Sequence, residues 1–148
     1  MIVIMIVMQI FYNNYSLFFY FMQIFLHEIK NAALRQSLAR FRLSNNVLNI
    51  EKGRHTVPKT PRGQRFCPFC PGRVEDEVHF LMECPVYRAP RVEMVDAAVG
   101  REPSFSQKTT IEQFIELMGP GAAQSVAGTI HNFFDIRGFL INGPRNLK

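Results

Sequence analysis

Three thiols and one imidazole lie close together in the pattern Cys67-x2-Cys70-x8-His79-x4-Cys84, which contains all three cysteines of the chain. Four soft or borderline donors in so short a span match a closed, tetrahedral Zn2+ site of the Cys3His type. Two cysteines separated by two residues can both point inward from one tight turn. Pro68 and the pair Pro71-Gly72 supply the turn chemistry around it. The alternatives are a redox pair, buried cysteines acting as small hydrophobes, and an ordinary helical histidine. No βαβ pattern surrounds the pair, as a redox motif would require. A closed site offers no open coordination position, so its ion supplies folding energy and activates no water. No Gly-rich phosphate loop, nucleophile elbow or His-Glu-x-x-His occurs elsewhere, and no catalytic residue is expected.

These donors need elements to hold them. Glu75, Asp76 and Glu77 read as the first turn of a helix, favoured there by the macrodipole, with His79, Phe80, Leu81 and Met82 continuing it. Five residues separate His79 from Cys84, about 140° around an ideal helix, so both cannot face one ion from regular geometry. Pro85 biases Cys84 out of the α region, which places the fourth ligand at a helix end.

Upstream, Asn31 to Leu43 reads as a helix with Leu34, Leu38 and Phe41 on one face and Arg35 and Arg42 in solvent. Ser44-Asn45-Asn46 stops it, Val47, Leu48 and Ile50 form an apolar patch, and Gly53, Pro58, Pro61 and Gly63 make residues 52–66 a mobile loop. Downstream, Thr109-x-x-Glu112 can form a capping box for a helix with Ile111, Phe114, Ile115 and Met118 on its apolar face. Gly119-Pro120-Gly121 breaks that helix. Val126, Ile130, Phe133, Phe134 and Arg137 give a second helix a mixed face, and His131 within it reads as structural.

The expected fold is mainly α: a small helical domain around a Cys3His zinc knuckle, preceded by an apolar N-terminal helix. Its units would be residues 1–28 (leader), 29–66 (helix and basic loop), 67–92 (zinc module) and 93–148 (helical tail). The gap of eight residues is longer than that of the compact zinc knuckle, so that knuckle's geometry is not transferred. At 148 residues with three Cys, the chain is neither a disulfide scaffold nor a multidomain enzyme.

Charge is uneven. Of 17 Lys+Arg and 12 Asp+Glu, the stretch from Lys30 to Arg65 carries nine bases and only Glu51, a net +8 against +5 for the whole chain. Such a stretch can follow a polyanion or an anionic membrane, or can simply solubilise a surface. On the first reading Arg35, Arg40, Arg42, Lys52, Arg54, Lys59, Arg62 and Arg65 neutralise the phosphates of RNA or DNA. Phe66 and Phe69 flank the cysteine pair and either stack on unpaired bases or pack in a small core.

The leader has no Asp, Glu, Lys or Arg through residue 27. Its length permits a membrane span, while Tyr12-Asn13-Asn14-Tyr15-Ser16 near its centre is costly in lipid. It lacks the basic start and small-residue cleavage site of a signal peptide. An anchor through residues 1–26, a buried helix or strand pair, and an extension unrelated to the rest all remain open.

Several motifs together resemble a Cys/His segment in the C-terminal part of non-LTR (LINE-type) retrotransposon polyproteins. They are Phe41-Arg42-Leu43, Glu51-Lys52-Gly53-Arg54, the Cys67/Cys70 pair, Glu75-Asp76-Glu77-Val78-His79-Phe80-Leu81 and Cys84-Pro85-Val86-Tyr87. The likeness covers about residues 31–92 well and the tail to about 140 loosely. It implies zinc ligands at Cys67, Cys70, His79 and Cys84 and a role alongside nucleic acid. In that family the segment follows the polymerase. No Ala-Asp-Asp catalytic strand occurs here, so polymerase and endonuclease activities are not implied. The leader departs from the family, which points to a truncated copy with an unrelated start.

The expectation is therefore a non-enzymatic, intracellular zinc module, nuclear or cytoplasmic, bound to RNA or DNA. The alternative is a membrane-anchored protein whose zinc unit meets a protein partner through the acidic Glu75-Asp76-Glu77 turn.

Overall fold

Asn31 starts the first helix. Its side-chain oxygen accepts from the amides of Ala33 (2.9 Å) and Leu34 (3.3 Å), satisfying donors that have no partner inside a helix. The computed structural model describes residues 28–143, in which this helix, α1, spans Ala32–Arg42. Leu38 and Phe41 are fully buried and Leu34 packs beside them, as the spacing predicts. The helix ends in a Schellman motif. Asn45 N–H reaches Arg40 O (2.9 Å), Ser44 N–H reaches Phe41 O (3.2 Å), and Ser44 takes a φ of 51°.

A single helical turn, α2 (Asn49–Lys52), buries Ile50 and Glu51. The following loop is not the free tether that its Gly and Pro content suggests. Thr60 N–H bonds Gly53 O (3.1 Å), and Arg65 turns back to donate to Thr60 O (2.9 Å) and Ile50 O (2.7 Å). Gly53 is needed for that return: a Cβ there would lie 2.7 Å from the Arg65 side chain.

A two-stranded antiparallel hairpin follows, β1 (Phe66–Cys67) and β2 (Cys70–Val74), pairing Phe66 with Val74 and Cys67 with Cys70 across an irregular register. The fold is mainly helical as expected, and this small hairpin stands where the sequence suggested only a tight turn. Asp76 then caps the next segment by accepting from His79 N–H (2.9 Å), and His79–Glu83 forms one π-helical turn. Three longer helices complete the fold: α3 (Arg88–Arg101), α4 (Thr110–Leu117) and α5 (Ala123–Asn142).

Helix α4 carries the expected capping box between Thr109 and Glu112. Its buried face is Phe114 and Leu117, whereas Ile111 and Ile115 lie outward. Leu117 completes the inward stripe, and among the described residues the side of the helix that carries the two isoleucines is left exposed. Helix α5 runs against α1 and α3. His131 on α5 places Nδ1 2.9 Å from Ser37 Oγ on α1.

One apolar cluster joins these parts. Tyr87 stacks on Phe133 with centroids 4.6 Å apart, and Phe80 meets Tyr87 edge-on at 4.8 Å and Phe133 at 5.6 Å. Aromatic pairs in these arrangements add about 0.5–1.5 kcal/mol each beyond the area they bury. Cys67 and Cys84 belong to the same cluster, so the Cys/His segment is set in a core shared with α1, α4 and α5. Among the described residues no helix is long and apolar enough to cross a membrane. The apolar N-terminal helix expected in residues 1–28 lies outside the described residues, except for Glu28.

Candidate metal centre

The four donors converge. Cys67 ends β1, Cys70 begins β2, His79 opens the π turn and Cys84 closes it. One ligand atom from each lies within 4.8 Å of the others. The Cys84 sulfur is 4.0 Å from that of Cys67 and 3.7 Å from that of Cys70. Tetrahedral bonds of about 2.3 Å separate sulfurs by about 3.8 Å, so these distances suit one ion.

The π turn solves the angular problem that the spacing posed. Cys84 N–H bonds His79 O at 2.7 Å, an i→i+5 bond that widens the turn and brings both side chains to one side. Cys84 itself has φ −58° and ψ 122°, out of the helical region ahead of Pro85, as expected. From α3, Arg91 donates to Leu81 O (2.6 Å) and Cys84 O (2.8 Å), filling carbonyls the turn leaves open.

The centre is dry. Cys67, His79 and Cys84 are buried and Cys70 is half-buried. Burial, with the neighbouring sulfurs acting in the same direction, pushes the Cys84 thiol up to about 12, and burial also raises Cys67. Thiolates here need a cation. Among the described residues, both ring nitrogens of His79 are buried without a hydrogen-bond partner. Such orphans are costly, and a metal ion would satisfy one of them. The donor set therefore fits a metal ion on both chemistry and geometry.

Around the site, the acidic turn is not a solvated face. Glu75 and Glu77 are 1% and 3% exposed. Glu75 receives both Nε (2.7 Å) and Nη2 (2.8 Å) of Arg137 from α5, and its Oε2 also accepts Asn49 N–H (2.6 Å). Glu77 accepts from Ser44 Oγ at 3.2 Å. The spacing of Arg137 with Val126, Ile130 and Phe133 was the signal for this pair: a charge on a buried stripe requires an opposite charge.

The eight candidate phosphate contacts separate into two groups. Arg40, Lys52, Lys59 and Arg62 are exposed. Arg35 and Arg42 are not the solvated residues expected. Arg35 donates to Ile29 O (2.6 Å) and Lys30 O (3.1 Å), and Arg42 donates to Met118 O (2.9 Å). Burial pulls the Arg42 guanidinium down to about 10. Arg65 holds the loop carbonyls, and Arg54 pairs with Glu51 at 3.0 Å. Helix ends and a tight loop have open carbonyls, and long basic side chains nearby fill them before any external anion does. Phe69 packs edge-on against Tyr87 at 6.4 Å, while Phe66 stays 43% exposed, so only Phe66 faces solvent enough to stack on a base.

Comparison with protein families, curated proteins and solved structures finds no match to this chain.

Proposed function

We propose that Cys67, Cys70, His79 and Cys84 hold a structural Zn2+, in a non-enzymatic module that associates with nucleic acid and derives from the Cys/His segment of non-LTR retrotransposon polyproteins. The observation that carries the metal reading is the approach of the four donor atoms to within 4.8 Å of one another, three of the four residues being buried. Three thiolates and one imidazole select zinc among abundant divalent ions, since hard cations take oxygen donors. With four protein ligands the ion has no open position, so its contribution is to lock the hairpin to the π turn.

The nucleic-acid role is supported by the basic residues that the fold leaves outward, Arg40, Lys52, Lys59 and Arg62, with Phe66 beside them in sequence. Phosphate neutralisation by these side chains would be sequence-tolerant and strongly salt-dependent. The retroelement origin rests on the motif resemblance across residues 31–92. The competing idea of a protein partner at the acidic turn loses its argument, because Glu75 and Glu77 are turned inward. Elemental analysis of the purified chain tests the first step. The expected result is one zinc per chain, lost on Cys67→Ser, and equal metal in parent and variant would overturn it.

A further inference from the structure

We propose that Glu83 fixes the ring of His79 by accepting its Nδ1–H, leaving Nε2 for the metal, and that Arg73 anchors the Glu83 carboxylate. This rests on the metal-site reading above. A tetrahedral ion takes only one nitrogen of an imidazole. The other keeps its proton and, at this depth, needs an acceptor. Both nitrogens of His79 lack a hydrogen-bond partner, and the residue is 5% exposed.

Glu83 stands one turn further along, its Oε2 3.6 Å from His79 Nδ1. That is beyond hydrogen-bond length, and the proposal requires the two side chains to close the gap by a few tenths of an ångström, roughly from 3.6 Å to within 3.2 Å. The carboxylate is placed rather than floating. Arg73 of β2 donates from Nη2 to the same Oε2. The hairpin that supplies Cys70 thus also supplies the guanidinium that holds Glu83 next to His79. With side chains 61% and 36% exposed, the Arg73–Glu83 pair adds little to stability by itself. Its use is orientation. Metal-bound histidines commonly donate their second nitrogen to a carboxylate, which sets the tautomer and raises ligand basicity.

The test uses the full chain, labelled with 15N-histidine and loaded with Zn2+. A two-bond 1H–15N correlation spectrum should show Nε2 of His79 ligated and Nδ1 protonated. In chelator competition Glu83→Ala should weaken zinc affinity about 10-fold or more. Glu83→Gln, which keeps an acceptor oxygen, should recover part of that loss. Nδ1 ligation, or unchanged affinity in Glu83→Ala, would overturn the proposal while leaving the zinc site standing. A parent chain that binds no zinc overturns both.

Discussion

The amide of Cys84 donates to the carbonyl of His79 at 2.7 Å, across five residues, and this wide turn sets the two side chains near one another. In regular α-helix the pair would diverge by about 140°. One wide turn removes the divergence without breaking the chain path, and Arg91 stabilises it by occupying the carbonyls of Leu81 and Cys84.

With zinc held as proposed, its removal should loosen the shared core as well as the hairpin, because Cys67 and Cys84 are part of the main apolar cluster. Structural zinc contributes on the order of 10 kcal/mol in small peptides. Chelator treatment should lower the thermal midpoint sharply and expose Tyr87, read by tyrosine fluorescence. A midpoint indifferent to chelator would contradict the structural role.

Arg137→Met should destabilise the fold by about 3–5 kcal/mol, since it leaves the buried Glu75 carboxylate without its cation. The double variant Glu75→Leu/Arg137→Met should recover most of that loss. Urea denaturation of the singles and the double checks this. Equal instability of the double and the Arg137 single would show that the ion pair is not the cause.

Replacing Lys52, Lys59 and Arg62 with Gln should flatten the log–log salt dependence of RNA or DNA binding by about three ions at roughly 0.7–0.9 each. Arg65→Gln should instead lower the melting temperature, because that side chain is committed to Ile50 O and Thr60 O. A triple variant with the parent's salt slope would separate the basic face from binding.

Gly53→Ala forces a Cβ to within 2.7 Å of the Arg65 side chain. Arg65 should swing away and lose its two carbonyl bonds, each charge-assisted and worth about 1.5–3 kcal/mol at most. In a double-mutant cycle with Arg65→Gln, the two losses should be strongly non-additive. Additive losses would mean that the glycine serves the loop in some other way.

Thr109→Ala should cost about 1 kcal/mol by removing the cap of α4. The Thr109 hydroxyl and amide hold the Glu112 carboxyl below its usual range. A depressed folded-state value means that this contribution is present above the unfolded pKa and is lost as pH falls through the folded one. The parent should therefore lose its advantage over the variant on acidification, measured as paired melting curves. A gap that widens toward low pH would reverse the sign.

Much of the site could be read from the residues because its constraints are local. Asn31, Thr109 and Pro85 act within four residues of themselves, and the Cys/His spacing alone names the four side chains that the fold brings within 4.8 Å of one another. The hairpin at Phe66–Val74 is not legible in the sequence, because Pro and Gly in Cys70-Pro71-Gly72 carry loop propensity, which close pairing with Cys67 overrides. Nor is the π turn, because hydrophobic period cannot distinguish one wide turn from a regular one. Burial of Glu75 and Glu77, and the diversion of Arg35, Arg42 and Arg65 to backbone carbonyls, depend on distant partners, so charge counted along the chain overstated the charge available to a ligand.

The clasp between Glu75 and Arg137 joins positions 62 residues apart. During synthesis at about 5–20 residues per second, the carboxylate beside the cysteines waits several seconds for its guanidinium to be made. An ion captured by the four donors in that interval would sit on a nascent hairpin whose deepest counter-charge is still missing. The support of the proposed centre is thus completed only once α5 is made, and a chain stopped short of α5 would leave the ribosome with Cys67, Cys70, His79 and Cys84 present and the Glu75 carboxylate unpaired.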